Sequence, residues 1–489
     1  MDLLQSLRIA APEQLLSISA IVLLVASAWG QTRRDARAVT WLAVLTLFVA
    51  AVMTAPVLFQ GLRGEAASAF GGLFSGDAFA AFAKLLIYAA AGASLLVAPA
   101  FFEKHRAYRP EYPVLVLFAV LGMGIMVSAQ DLLTLYMGLE LNSLAAYVLA
   151  AFLKPDQRSA EAGLKYFVLG ALASGILLFG MSLTYGFTGT TSYAGIAAAL
   201  SEGTVSKGAL FGITFVLAGL AFKVSAVPFH MWTPDVYEGA PTPVTTFFAT
   251  APKVAALALT MRVSLEAFGP QSAAWQQIVI FAAIASIVVG ALGAIGQGNI
   301  KRLLAYSSIN NVGFILLGLA AATPAGASAM LFYLAVYVAM TIGGFVAVLM
   351  LKDAKGNYVE AIADIAGLSR TRPLLALGLA TVMFSLAGIP PLLGFWGKLV
   401  VFQAVVEAGM VPLAALGIAA SVIGAFYYLK VVKIMYFDEP AGKVTGKSDM
   451  VHEWLLAICA LFISPLGYLI TKCLIALATV SAGVLFVAA

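Results

Sequence analysis

Long apolar runs, repeated along the whole sequence, constrain the fold of this chain more than any other feature. Cutting the 489 residues at charged or Pro/Gly-rich breaks leaves fourteen segments, each with about the 20 apolar residues that a membrane-spanning helix needs. A water-soluble chain has roughly 25% charged residues, whereas this one has 10% charged and 62% hydrophobic residues. The sequence therefore predicts an all-α polytopic membrane protein with about 14 transmembrane helices.

The predicted spans are numbered 1 to 14 in chain order. They cover approximately residues 12–30, 38–60, 77–102, 112–129, 131–153, 160–186, 207–230, 241–266, 274–296, 300–322, 326–351, 373–408, 411–437 and 454–486. We assign residues 15–28 to span 1 and not to a secretory signal, because the charges before them sum to minus one. Helix-breaking residues predict interruptions in span 7 at Pro228, in span 8 at Pro252 and in span 12 at residues 388–391.

Basic residues are concentrated on one side of the predicted membrane. The loops after odd-numbered spans, with the adjoining span ends, carry 18 Lys and Arg, whereas the even-numbered loops carry 3. By the positive-inside rule the odd-numbered loops are cytoplasmic and both chain termini are periplasmic. The basic residues form no arm or stripe, so the net charge of +5 does not indicate nucleic-acid binding.

Two similar motifs suggest an internal repeat. The tripeptide Leu-Ala-Gly at residues 217–219 in span 7 is followed by Lys223 and Pro228, and the same tripeptide at 386–388 in span 12 is followed by prolines and Lys398. A shift of five spans is odd, so the two copies enter the membrane from opposite sides, as in inverted-repeat transporters. Spans 5 and 10 fit this register weakly, through Leu132, Leu133 and Tyr136 against Leu303, Leu304 and Tyr306.

Ionisable residues within the spans are the candidate functional groups. Six lysines fall inside spans, and Glu140 is the clear intramembrane carboxylate; the lysines are Lys84, Lys165, Lys223, Lys253, Lys398 and Lys472. A charged side chain at such depth costs ~2.5–3.5 kcal/mol on insertion scales, so it is expected to serve a purpose. Unlike arginine, a desolvated lysine can lose its proton reversibly. We therefore predict a proton relay of Glu140, Lys223, Lys253 and Lys398.

Several of these residues also allow a purely structural interpretation. Lys84 and Lys472 are expected to extend towards the membrane surface or to pack against a neighbouring subunit. Lys165 fits a relay and a surface-directed lysine equally, and His230 fits both proton entry and a helix cap. Cys459 and Cys473 match no zinc or haem spacing, so we interpret them as packing residues. The relay residues themselves remain open to interpretation as a structural ion-pair network.

The motif PFHMWTPDVYEGAPTPV at residues 228–244, followed by APKVA at 251–255, resembles the subunit N family of bacterial NADH:quinone oxidoreductase, respiratory complex I. The resemblance extends over essentially the whole chain, and the supporting motifs lie at residues 136–141, 161–167, 299–309, 386–390, 394–395 and 397–398. The sister subunits L and M and the Mrp-type cation/proton antiporters belong to the same broader family. Their counterparts of residues 230–237 differ from this sequence.

This resemblance implies a fold and a role for each relay residue. It implies two inverted five-helix repeats, spans 4–8 within residues 112–270 and spans 9–13 within 271–440, flanked by residues 1–111 and 441–489. Glu140 is then expected to pair with Lys223, Lys253 to lie on broken span 8, and Lys398 on broken span 12 to serve the second half-channel. Where many relatives have a span 10 histidine, this chain has Asn310 and Asn311, which can hold water but cannot take up a proton.

The resemblance also implies a function, partners and a location. We expect a proton-translocating membrane-arm subunit that couples quinone reduction to proton transfer, in the bacterial inner membrane. The expected partners are the other membrane-arm subunits, including antiporter-like sisters, and membrane lipids. No cofactor is expected in this chain, because NAD, FMN, iron–sulfur clusters and quinone are associated with other subunits. The alternatives are an Mrp-type cation/proton antiporter subunit and a structural spacer without a relay.

Overall fold

The computed structural model describes residues 3–29, 32–61, 66–202 and 205–486, and it is almost entirely helical. Within these ranges thirteen helices are long and apolar enough to cross a membrane. Span 12 consists of two shorter helices instead of one long helix. Counting it gives a total of fourteen spans. The prediction of an all-α polytopic membrane protein is confirmed.

The helices follow the predicted spans closely. Spans 1 to 7 are Ala11–Trp29, Arg33–Gly61, Ala78–Lys104, Glu111–Ser128, Leu132–Ala150, Gln157–Thr188 and Lys207–Val224. Span 8 is Thr242–Phe248 with Ala251–Arg262 and a final π-helical turn, Val263–Ala267. Spans 9 to 14 are Ser272–Ile295, Ile300–Ala320, Pro324–Met350, Pro373–Ala387 with Leu393–Glu407, Val411–Phe437, and Met450–Ile463 with Tyr468–Gly483.

Short elements connect the spans. They are the helices Leu3–Ile9, Tyr193–Ser201, Trp232–Gly239 and Leu368–Thr371, the 3-10 turns Phe70–Gly72, Gly269–Gln271, Ile362–Ile365, Pro465–Gly467 and Val484–Phe486, and a hairpin of strands Ala67–Ala69 and Phe74–Gly76. The hairpin is antiparallel, with Ala67 opposite Gly76. It lies in the loop between spans 2 and 3 and is the sole sheet among the described residues.

The predicted interruptions of spans 7, 8 and 12 are confirmed. The span 7 helix ends at Val224 and is followed by Ser225 in the left-handed conformation, with φ 62°. The first half of span 12 ends before Gly388, which adopts φ 83°, a conformation that glycine tolerates best. Span 14 contains a break that was not predicted: its helix stops at Ser464 and restarts after Pro465, which cannot donate a main-chain hydrogen bond.

The inverted repeat is visible in two matching helix starts. Asp131 caps span 5, accepting hydrogen bonds from two main-chain N–H groups, and forms a β-bridge with Ser192 after span 6. Asn299, 168 positions later, caps span 10 in the same way and forms a β-bridge with Ala361 after span 11. These two arrangements lie at opposite ends of the molecule. The matching Leu residues of spans 5 and 10 are 171 positions apart and the matching Tyr residues 170, so they fit the separation of the two caps only approximately.

The loops after odd-numbered spans meet at one end of the molecule, which we call the basic end. There Arg37 pairs with Glu103, and Lys104 donates a hydrogen bond to the carbonyl of Lys355. Spans 8, 10 and 11 lie at the centre and are almost completely buried. The outer spans expose apolar side chains, such as Leu172 and Val422, towards lipid or partner subunits. The span 8 break at Ala249 and Thr250 is therefore buried, whereas Pro228 after span 7 and Pro390 and Pro391 within span 12 are exposed.

Candidate functional site

Lys223 lies in the last turn of the span 7 helix, directly before the break. Its side chain is 8% exposed, and its Nζ atom donates a 2.5 Å hydrogen bond to Ser143 Oγ on span 5. The Ser143 hydroxyl in turn donates to the Leu139 carbonyl, so its oxygen is free to accept. The ammonium group also lies 5.7 Å from the centre of the Tyr147 ring. The Lys223 ammonium group therefore contacts a hydroxyl group and an aromatic ring, both of which are uncharged.

Glu140 lies one turn before Ser143 on span 5. Its side chain is partly buried, and Oε1 is enclosed without a hydrogen-bond partner in the described structure. The predicted pairing with Lys223 is not a direct ion pair, since no contact within 4.0 Å joins the two groups. The structure places Ser143 beside both residues, and the sequence analysis did not identify it.

Lys253 lies in the first turn of the second span 8 helix, immediately after the break at Ala249 and Thr250. It is 1% exposed, and Nζ donates a 2.7 Å hydrogen bond to the Val224 carbonyl. Val224 is the last residue of the span 7 helix, so its carbonyl has no partner within that helix. The Trp232 ring centre lies 5.9 Å from the ammonium group. Lys253 thus joins the breaks of spans 7 and 8.

A hydrogen-bonded bridge connects the span 8 break to span 10. The Tyr337 hydroxyl on span 11 donates to the Ala249 carbonyl at 3.0 Å. Since Tyr337 uses its proton there, its oxygen accepts from the Ser308 hydroxyl at 2.7 Å. Ser308 follows Ser307 on span 10, and Ser307 contacts the Tyr428 hydroxyl of span 13 at 2.5 Å. Four spans thus contribute hydroxyl or carbonyl groups to one row of polar residues. We call this row the polar line: Ala249, Ser307, Ser308, Tyr337 and Tyr428.

The two asparagines of span 10 have different surroundings. Asn311 donates to the Tyr428 hydroxyl at 3.3 Å and accepts from the Tyr333 hydroxyl at 2.6 Å. Asn310 donates to the Ile287 carbonyl of span 9 at 2.7 Å, and its main chain packs against Gly290. Asn311 therefore belongs to the polar line, whereas the Asn310 side chain links span 10 to span 9 by a hydrogen bond.

Lys398 lies on the second helix of span 12, just after the break. It is 6% exposed, and Nζ donates to the carbonyls of Leu386 at 3.0 Å and Ala387 at 3.3 Å. A third bond reaches Ser421 Oγ at 3.2 Å, and the Phe314 ring centre lies 4.5 Å away. As at Lys253, the acceptors are free carbonyls at the end of an interrupted helix.

Lys165 is not connected to this buried line. It lies at the basic end, 41% exposed, and pairs with Glu161 at 2.7 Å and with Asp235 at 2.8 Å. His230 lies between spans 7 and 8, where burial lowers the pKa of its imidazole, and Nδ1 is enclosed without a partner in the described structure. Lys472, the remaining predicted surface lysine, is exposed. Lys165 therefore belongs to a network of ion pairs at the surface of the basic end.

That network ties the two repeats together, and we call it the basic-end network: Arg158, Lys165, Asp235, Glu238, Lys301, Arg302 and Glu360. Arg302 of span 10 contacts Asp235 at 2.7 Å and Glu238 at 2.9 Å. Burial alone raises the pKa of Asp235, but hydrogen bonds from Lys165 and Arg302 outweigh it and lower the pKa. Asp235 is therefore ionised at neutral pH.

Two further buried ion pairs involve the first three spans. Lys84 Nζ lies 2.6 Å from Glu13 Oε1, with side chains 5% and 7% exposed, so the expectation that Lys84 extends to the surface was wrong. Arg262, at the end of span 8, binds both oxygens of Asp77 at 2.8 and 2.7 Å. No signal in the sequence links these residues, because each pair joins segments far apart in the chain.

No group of three or more His, Cys, Asp or Glu residues within the described ranges is arranged to hold a metal ion. Cys459 is buried and Cys473 is exposed, and they are not bonded to each other. The lysines, hydroxyls and amides of the site are groups that can form hydrogen bonds with one another.

Comparison with known proteins gives a consistent family. A model of the transmembrane region of NADH:quinone oxidoreductase and Mrp antiporter subunits matches residues 129–424. NADH-quinone oxidoreductase subunit N of Erythrobacter litoralis is 67% identical over 488 residues, which cover 100% of both chains. The chain belongs to the NADH-quinone oxidoreductase subunit N family. The subunit N of Rhizorhabdus wittichii is 58% identical over 99% of this chain and 100% of that protein.

Solved structures agree with membership of the subunit N family. A chain of respiratory complex I from Thermus thermophilus has a TM-score of 0.80 and 32% identity, and the match covers 96% of this chain and 99% of that one. A chain of the Mrp complex from a Dietzia species has a TM-score of 0.84 at 22% identity, covering 99% of this chain and 98% of that one. The second match shows a shared fold alone. The subunit N family and Mrp subunits therefore share an architecture, and sequence separates them.

Proposed function

We propose that this chain is a proton-translocating subunit of the membrane arm of NADH:quinone oxidoreductase, and that Lys223, Lys253 and Lys398 carry protons. The supporting observation is that these buried lysines contact hydroxyl or carbonyl oxygens and join no ion pair in the described structure. A buried ammonium without a counter-charge is costly by several kcal/mol. Each lysine therefore has an accessible neutral state, which a purely structural ion pair would not provide.

The polar line provides a route between these lysines. Glu140 and Ser143 serve Lys223, the end of span 7 connects to Lys253, and the hydroxyls of Tyr337 and Ser308 lead to span 10. Asn311, with Tyr333 and Tyr428, continues towards Lys398 in the second repeat. Hydrogen-bonded chains of hydroxyl groups polarise one another and can pass protons with small movements. Moving one charge across the membrane costs ~2.3 kcal/mol per 100 mV, so an external reaction must drive each transfer.

That reaction is quinone reduction by the partner subunits. In this proposal NAD, FMN, iron–sulfur clusters and quinone are bound elsewhere in the complex, and this chain performs no redox chemistry. The basic end lies on the cytoplasmic side of the inner membrane, because loops rich in Lys and Arg are retained on that side. In this proposal His230 exchanges protons with the cytoplasm at that end, whereas Lys165 stabilises the basic-end network.

Native electrophoresis of mild-detergent membranes tests the assignment to the complex. NADH oxidation is stained in the gel, and this chain is identified by mass spectrometry of the excised band. We expect it in the NADH-oxidising band at high mass. Its recovery in a smaller assembly that lacks this activity would favour the Mrp-type antiporter instead.

A further inference from the structure

A cavity of about 760 Å³ opens at the basic end, outside the polar line and the basic-end network. It lies between the loop after span 3 and the loop after span 5. Arg106, Arg109 and Lys154 are exposed around its mouth, and Leu115, Val148 and Phe167 line its side. The volume falls in the range of about 300–1,000 Å³ that is typical of small-molecule sites.

The three cations at the mouth have no acidic partner. Within the described residues, the side chains of Arg106, Arg109 and Lys154 form neither an ion pair nor a hydrogen bond. At the same end of the molecule, Arg158 and Arg302 are each paired with two carboxylates. Unpaired positive charge therefore surrounds the mouth of this cavity, where it can attract an anion from outside the chain.

The apolar side of the cavity continues onto the outer face of spans 5 and 6. Val148 is 54% exposed and Phe167 is 49% exposed, and Leu144 and Leu164 extend the same face along the two helices. A ligand bound here thus meets positive charge at the membrane surface and an apolar groove below it. This is the arrangement that phospholipids satisfy, and basic pockets between transmembrane helices bind anionic headgroups.

Two carboxylates limit the choice of headgroup. Asp156 is engaged as the cap of span 6, where it accepts a hydrogen bond from the Arg158 main chain. Glu111 lines the cavity, and its carboxylate joins no hydrogen bond or ion pair in the described structure. A headgroup that carries a hydroxyl donor beside its phosphate could donate to the Oε1 atom of this carboxylate. A glycerol headgroup has such hydroxyls.

We propose that this cavity binds an anionic phospholipid with a glycerol headgroup, that is, phosphatidylglycerol or its dimeric form cardiolipin. Arg106, Arg109 and Lys154 bind the phosphate, Glu111 accepts a headgroup hydroxyl, and one acyl chain lies along Val148 and Phe167. The proposal concerns binding alone, so it holds or fails independently of the proton relay.

Photolabelling of the purified complex tests the proposal. A photoactivatable phosphatidylglycerol is added in mild detergent, and labelled peptides of this chain are mapped by mass spectrometry. We expect labels on peptides that contain residues 105–115 or 147–167. Excess phosphatidylglycerol or cardiolipin should compete, whereas phosphatidylethanolamine and inorganic phosphate should not. Competition by phosphatidylethanolamine or by inorganic phosphate alone would overturn the proposal.

Matched variants sharpen the result. The triple variant Arg106→Gln, Arg109→Gln, Lys154→Gln should reduce labelling at least fivefold. The control Lys355→Gln, Lys443→Gln, Lys447→Gln removes the same charge from exposed positions at the same end and should leave labelling unchanged. If the first triple variant does not assemble, Val148→Trp fills the groove from its exposed face and should abolish labelling. Equal losses in the test and control variants, or full labelling of Val148→Trp, would refute the site.

Discussion

The Nζ atom of Lys253 donates a 2.7 Å hydrogen bond to the carbonyl of Val224, the last residue of the interrupted span 7 helix. Lys398 binds the carbonyls of Leu386 and Ala387 at the end of the first span 12 helix in the same manner. Such terminal carbonyls lack intrahelical partners and carry the negative end of the helix dipole. The positive charge of each lysine thus lies next to the negative end of a helix dipole. Proton loss would weaken that bond and couple protonation to the position of the broken helix.

Replacement of Ser143 by alanine tests the environment of Lys223. The variant removes the oxygen that accepts the Lys223 hydrogen bond, and a hydrogen bond to a charged group is worth ~1.5–3 kcal/mol. We expect proton pumping and coupled quinone reduction to fall roughly tenfold in a complex that assembles normally. Ser174→Ala is the matched control, because Ser174 Oγ is buried without a partner in the described structure. Equal activities of the two variants would remove Ser143 from the proposed route.

Substitutions of the two span 10 asparagines should have different effects. Asn311→Leu removes the contacts to Tyr333 and Tyr428, so we expect lower turnover in complexes that still assemble. Asn310→Ala removes the hydrogen bond to the Ile287 carbonyl, worth about 0.5–1.5 kcal/mol, while that carbonyl keeps its main-chain partner within the span 9 helix. It should lower the melting temperature of the complex and leave turnover per assembled complex unchanged. Measuring both quantities for both variants distinguishes them, and the reverse pattern would contradict these assignments.

The Glu13 and Lys84 pair is predicted to be structural. Lys84→Met leaves a buried carboxylate unpaired, which costs about 3–5 kcal/mol, whereas replacing both partners by apolar residues is often neutral. We therefore expect the single variant to assemble poorly and the double variant Glu13→Leu, Lys84→Met to recover assembly. The amount of complex in native gels provides the measurement. A double variant that assembles fully but pumps no protons would instead place this pair on a proton route.

The basic-end network should contribute equally to stability at pH 6 and pH 8. Burial alone raises the pKa of the Glu360 carboxyl, but the Lys301 charge and the Asn299 hydrogen bond outweigh it and hold this pKa below its ordinary value of 4.5. A lowered pKa stabilises the folded state above the ordinary value, and the contribution is lost only as the pH falls through the folded pKa. Glu360→Gln should therefore lower the melting temperature equally at both pH values. A penalty that differs between them would show that the network titrates near neutrality.

Local sequence patterns predicted much of the fold. Apolar run length located the spans, and Pro228, Pro252 and Gly388 marked the three predicted breaks, because each disrupts helical geometry at its own position. The same signal was present at Pro465 and was overlooked. The shift between spans 7 and 12 also indicated an inverted repeat, and the caps Asp131 and Asn299 match in the way that such a repeat predicts.

The contacts of the site could not be predicted in the same way. Lys223, Lys253 and Lys398 were recognised as unusual because a lysine is rare at membrane depth. Their acceptors are Ser143 and main-chain carbonyls, whose availability depends on where two helices end in space. Lys84 was misplaced for a related reason, since its partner Glu13 lies on another span. Partners distant in sequence leave no local pattern.

The central claim is that the buried lysines release and rebind protons. Lys253→Arg and Lys398→Arg keep the positive charge at both helix ends but hold their protons permanently. The most direct measurement is the rate of NADH-driven proton translocation, together with its ratio to NADH oxidised, in sealed vesicles that contain each variant, with Lys165→Arg as the exposed control. We predict that both arginine variants assemble, oxidise NADH with an artificial acceptor, and lose at least fivefold in proton translocation and quinone reduction. Pumping at the wild-type rate and ratio in either variant would contradict the claim for that lysine.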